Sequence, residues 1–153
     1  MKIYQSQNPS QTKKIGEKLG REILKEKPIK IGKIFALKGE LGGGKTTFLK
    51  GMAKGLGIKE KVLSPTFLIV RRFEIKNKKS KFKNFYHIDF YRLKKAEEIL
   101  KLNFKKIISN PGNIVAIEWA DRFKKIIPAQ ASWITFRIKG ENKREILIQN
   151  GKF

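Results

Sequence analysis

The residues Gly39-Glu40-Leu41-Gly42-Gly43-Gly44-Lys45-Thr46 set a glycine-rich turn directly before a cation and a hydroxyl. The spacing is G-x-x-x-x-G-K-[ST], and its chemistry is phosphate binding. Glycines let the backbone curl so that its N–H groups converge on an anion. A lysine at this position reaches the β- and γ-phosphates, and the following hydroxyl ligates Mg²⁺. A magnesium–triphosphate site also needs an acidic partner for the metal's water shell. Two carboxylates stand at suitable places, Glu118 and Asp89, each at the end of an apolar run. From residue type alone, either could equally be a surface carboxylate.

Elements must hold these groups in place. Ile34-Phe35-Ala36-Leu37 reads as a buried strand, parallel and central, running into the glycine turn. Phe48, Leu49, Met52, Ala53 and Leu56 mark the helix behind it, with Gly57 as its C-terminal stop. The N-terminus of such a helix adds about half a positive charge at the anion. Gly51 and Gly55 weaken this helix by about 1 kcal/mol each, and are expected to allow close packing on the sheet. Asn8-Pro9-Ser10 is a cap, followed by an apolar stripe of Ile15, Leu19 and Ile23 to about Leu24. Residues 67–75 and 82–90 read as a hairpin around the lysine-rich tip Asn77-Lys78-Lys79-Ser80-Lys81. A helix is predicted over 94–102, and Ile114-Val115-Ala116-Ile117 is a buried strand ending at Glu118. Residues 133–138 and 145–148 close the chain as a second hairpin. The alternation predicts one α/β domain over 1–153, a central, mostly parallel sheet with hairpin additions flanked by helices.

With no cysteine and one histidine, His87, the chain lacks the usual donors of a zinc centre. His87 beside Asp89 suggests local hydrogen bonding. No apolar run approaches the roughly 20 residues of a membrane span, and the first residues lack a signal-peptide core. These features point to the cytoplasm and away from membranes. The formal charge of +23 would attract polyanions, tRNA among them. Lysine greatly outnumbers arginine, as an AT-rich genome would impose on a solvated surface, and composition leaves both readings open.

The chain resembles the TsaE family, small bacterial P-loop ATPases required to make threonylcarbamoyladenosine in tRNA. The resemblance rests on Gly39 to Thr47, Ser64-Pro65-Thr66-Phe67, His87-Ile88-Asp89-Phe90-Tyr91-Arg92-Leu93 and Ile117-Glu118-Trp119. It spans roughly Thr12 to Ile148, and departs at Gly43, where the family commonly has alanine. It implies ATP and Mg²⁺ as ligands and TsaB and TsaD as partners, with tRNA met through them or through the basic surface. It implies nucleotide contacts at Glu40, Leu41, Gly42, Gly43, Gly44, Lys45, Thr46, Thr47 and Trp119. Thr46, Glu118 and Asp89 would serve the metal, and Lys45, Glu118, Asp89 and Thr66 the reaction, Thr66 from a switch-like loop. Trp119 is then either an adenine contact or a core residue. Tyr91 and Arg92 are then expected on a partner-facing surface, with an Arg92 salt bridge that fixes the Asp89 loop as the alternative for Arg92. A small-metabolite kinase is the competing enzyme class. It would need a lid with several arginines, whereas the chain has only seven arginines and none in a lid-like cluster. A basic RNA-binding module with a residual phosphate loop is a third reading, disfavoured by the intact set of Lys45, Thr46, Asp89 and Glu118.

Overall fold

The computed structural model describes residues 1–63 and 68–151. Seven strands form one sheet in the order β1-β7-β6-β2-β5-β4-β3. They are β1 (Lys2–Ser6), β2 (Lys33–Gly39), β3 (Val70–Glu74), β4 (Asn84–Asp89), β5 (Asn113–Glu118), β6 (Ser132–Ile138) and β7 (Arg144–Gln149). The centre, β6-β2-β5-β4, is parallel throughout. Antiparallel pairs with β7, β1 and β3 extend it on both sides. The α/β architecture, the parallel centre and both hairpins follow the sequence reading.

Strand alternation assigns the two faces. Phe35 and Leu37 of β2, with Ile114 and Ala116 of β5, pack against α1 (Pro9–Ile23) and α2 (Lys45–Gly55). Ile34, Ala36, Val115 and Ile117 point the other way, toward α3 (Ala96–Leu100), α4 (Phe104–Ser109) and a kinked 3-10 segment, Ala120–Ile126. Both faces of the central strands are therefore covered, as a parallel sheet requires.

Four differences from the sequence reading stand out. The edge strand β1 went unpredicted because Lys2–Ser6 is short and mostly exposed. The single helix expected over 94–102 is a shorter α3, and Asn103, in a left-handed conformation (φ 58°), starts α4 separately. The 3-10 segment after Trp119 carries no regular apolar period. The glycines of α2 pack on α1 rather than on the sheet. A Cβ at Gly51 would lie 1.9 Å from the Lys13 carbonyl oxygen, and one at Gly55 would lie 2.1 Å from that of Glu17. Gly16 and Gly20 meet the α2 backbone at Phe48 and Met52 in the same way.

Candidate phosphate-binding site

Strand β2 ends at Gly39, the glycine turn follows, and α2 opens at Lys45. Gly42 and Gly44 adopt φ of 76° and 96°, values that favour glycine over any residue with a Cβ. At Gly43 the space decides: a Cβ would sit 2.9 Å from the Glu40 carbonyl oxygen, so glycine suits this turn. Gly44 caps α2 without any side-chain hydrogen bond. Among the described residues no side chain caps the first N–H groups of α2, which is the arrangement an incoming anion can satisfy.

Parallel pairing brings the carboxylates together. Asp89 of β4 and Glu118 of β5 stand in register, and Glu118 is also in register with Leu37 of β2. Alternation turns Glu118, like Ala116 before it, to the α2 face. Both carboxylates are buried. The Thr46 hydroxyl donates to Glu118 Oε1 at 2.7 Å, and Asp89 Oδ1 accepts from the Tyr91 backbone N–H at 2.8 Å. Lys45 Nζ donates to the carbonyls of Gly39 (2.6 Å) and Glu40 (2.9 Å). It also lies 4.0 Å from the centre of the Trp119 ring. Burial pushes the Lys45 ammonium below the ordinary lysine value, opposed by the charges of Glu118, Asp121 and Asp89.

These groups line one cleft of about 370 Å³, formed by residues 41–47 with Asp89, Tyr91, Glu118 and Trp119. Its oxygen donors, a hydroxyl and two carboxylates beside a phosphate cradle, fit Mg²⁺, which keeps most of its water and takes few protein ligands. Of the site residues proposed from sequence, Glu40 reaches the site through its carbonyl. Thr66 lies outside the described residues, as does the rest of Ser64-Pro65-Thr66-Phe67. The remaining residues of that set line the cleft.

Family comparison agrees with this geometry. The model for "Threonylcarbamoyl adenosine biosynthesis protein TsaE" matches residues 6–146. The chain belongs to the TsaE family. Among relatives named tRNA threonylcarbamoyladenosine biosynthesis protein TsaE, that of Borreliella burgdorferi is 41% identical over 76% of this chain and 81% of its own. The Treponema pallidum protein is 32% identical over 94% of this chain and 96% of its own. The crystal structure of Bacillus subtilis YdiB superposes with a TM-score of 0.71 at 27% identity, covering 99% of this chain and 86% of that one.

Three residues of this TsaE-family site were not singled out for it by sequence. Arg144, on β7, donates through Nη2 (2.9 Å) and Nε (3.2 Å) to the Gly42 carbonyl, propping the glycine turn from outside the cleft. Arg122 donates to the carbonyls of Phe90 and Tyr91 and holds the turn after β4. The Tyr91 ring lies 5.0 Å from that of Trp119 and lines the cleft. For the two arginines the advance signal was the scarcity of arginine in a lysine-rich chain, which makes each one a candidate for planar, multidentate contacts, whereas Tyr91 stood in the His87–Leu93 segment but was read as facing a partner. Among the described residues, none of the chain's arginines lines the cleft itself.

Proposed function

We propose that this TsaE-family chain binds Mg-ATP in the cleft and hydrolyses it in support of threonylcarbamoyladenosine formation at position 37 of tRNA, acting with TsaB and TsaD in the cytoplasm. The observation that carries this reading is the hydrogen bond from Thr46 to Glu118 beside the uncapped N-terminus of α2. It joins the hydroxyl of the phosphate loop to the carboxylate at the end of β5, the two groups that would share a metal.

The N–H groups of the turn and of α2 bind the phosphates. Lys45, now tied to the Gly39 and Glu40 carbonyls, exchanges those partners for phosphate oxygens. Thr46, Glu118 and Asp89 would hold Mg²⁺ and its water shell. When bound, Mg²⁺ neutralises charge on the phosphate oxygens. Glu118 and Asp89 orient the attacking water, and Trp119 screens one side of Lys45 from solvent.

The absence of an arginine from the described cleft leaves charge on the γ-phosphate incompletely stabilised, so the isolated chain is a slow ATPase. Leu41 and Tyr91, at the mouth of the cleft, are 73% and 44% exposed and offer apolar surface to a partner that closes it. A group supplied from such a partner accelerates comparable reactions by about 10³–10⁵. Steady-state phosphate release with and without TsaB and TsaD, with Lys45→Ala as the blank, tests the proposal. The expected result is slow release alone and strong stimulation by both partners. Fast release unaffected by partners would refute it, and transfer to a small metabolite would establish the kinase alternative.

A further inference from the structure

His87 is fully buried, and neither ring nitrogen has a hydrogen-bond partner among the described residues. Leucine or phenylalanine would fill comparable volume without leaving a buried polar group unpaired, which is costly. The ring stands on β4 two residues before Asp89, in register with Ala116, and thus on the α2 face behind the carboxylates. Its Nε2 lies 3.6 Å from Glu118 Oε1, the oxygen that already accepts from Thr46. That separation exceeds a formed hydrogen bond by about 0.6 Å, within reach of a small side-chain rotation.

We propose that His87 is a positioning residue that donates its Nε2–H to Glu118 Oε1 and so fixes the carboxylate for the metal-dependent reaction. A carboxylate oxygen has two lone pairs. With Thr46 on one and His87 on the other, Oε1 is saturated and the group cannot rotate. Oε2 remains for the water shell of the metal. A neutral imidazole has one N–H, so the role requires the tautomer protonated at Nε2. The proposal rests on the ATPase reading for its kinetic consequence, but the His87–Glu118 pairing can be observed independently.

His87 is the chain's only histidine, so a long-range ¹H–¹⁵N spectrum contains one imidazole. The expected result is the Nε2–H tautomer in the wild-type protein, with ring nitrogen shifts that move on adding Mg-ADP. In Glu118→Ala the ring shifts should differ from wild type, and the response to Mg-ADP should vanish. The Nδ1–H tautomer in wild type, or ring signals identical in Glu118→Ala, would overturn the proposal. In partner-stimulated turnover, His87→Leu should lower kcat about tenfold, with metal-free ADP affinity held within about twofold. His87→Gln, which retains an N–H donor, should recover most of the rate. Full kcat in His87→Leu, or a glutamine variant as slow as the leucine one, also counts against the role. If His87→Leu does not fold, the wild-type tautomer and the Glu118→Ala spectrum decide. If wild type neither binds nor turns over nucleotide, the ATPase reading fails, while those same two spectra still accept or reject the pairing.

Discussion

Gly51→Ala sets two opposed effects against each other. Alanine is better than glycine inside a helix by about 1 kcal/mol, so propensity alone predicts a more stable protein. The crossing of α1 and α2 predicts the reverse. The new methyl would lie 1.9 Å from the Lys13 carbonyl oxygen and 2.7 Å from its carbon, both backbone atoms that no rotamer change can move. Restoring ordinary van der Waals contact requires α1 to retreat by about 1.5 Å. That shift also parts Ile23 on α1 from Leu49, Met52 and Ala53 in the shared core. Overpacking of this kind costs about 1–3 kcal/mol, and more where the neighbour is rigid. Taking about 3 kcal/mol against a propensity gain of about 1 leaves a net loss of about 2 kcal/mol. For a chain of this size the melting temperature should fall by about 4–8 °C. Thermal unfolding by circular dichroism measures it. An unchanged or raised melting temperature would refute the packing argument and return the glycines to simple propensity.

Lys45→Ala should weaken Mg-ADP binding at least thirtyfold, from a loss of about 2 kcal/mol or more in pairing a charge at a desolvated site; calorimetric titration checks this, and an unchanged dissociation constant counts against the phosphate site. Because burial lowers the Lys45 pKa from 10.5, the free native state binds fewer protons there than the unfolded chain. Lys45 therefore opposes folding below its native pKa, and the opposition fades as pH rises through that value toward 10.5. Phosphate should restore the proton, so nucleotide binding at alkaline pH should take one up, seen as binding enthalpies that depend on the buffer's ionisation enthalpy and absent in Lys45→Ala. Glu118→Gln should slow partner-stimulated hydrolysis while leaving metal-free ADP binding near wild type; normal turnover would shift the catalytic assignment to Asp89. If the basic hairpin tip meets tRNA, replacing the exposed Lys78, Lys79 and Lys81 with Gln should weaken filter retention and flatten its salt dependence, whereas no retention of the wild type at low salt would dismiss that role.

What the sequence made legible was local. The strand, the glycine turn and the start of α2 lie within a short stretch, and their order is itself the signal. Glu118 could be placed because an apolar run ends there. The register that sets Asp89 beside Glu118 could not, since it depends on pairing between β4 and β5 across the α3–α4 insertion. The same holds for Arg144, which is distant in sequence from the Gly42 carbonyl it props. His87 was expected to hydrogen-bond locally beside Asp89, yet neither ring nitrogen has a partner among the described residues, and the carboxylate 3.6 Å from Nε2 belongs to the adjoining strand. Gly51 and Gly55 were read for close packing, but local sequence gave no way to choose α1 over the sheet as the surface they meet.

The prop from Arg144 to Gly42 bears on the order in which a ribosome delivers this protein. The glycine turn emerges together with β2, but β2 is flanked by β5 and β6 and its loop is braced from β7. All of those neighbours follow the turn in the order of synthesis. The nascent protein thus displays the motif before the strands that shape and brace it, and the proposed nucleotide capture has to wait for β5, β6 and β7. If the cleft takes nucleotide as proposed, ribosome-stalled fragments ending before β6 should be inert toward it rather than weakly active, making ligand binding a report that β5, β6 and β7 are in place.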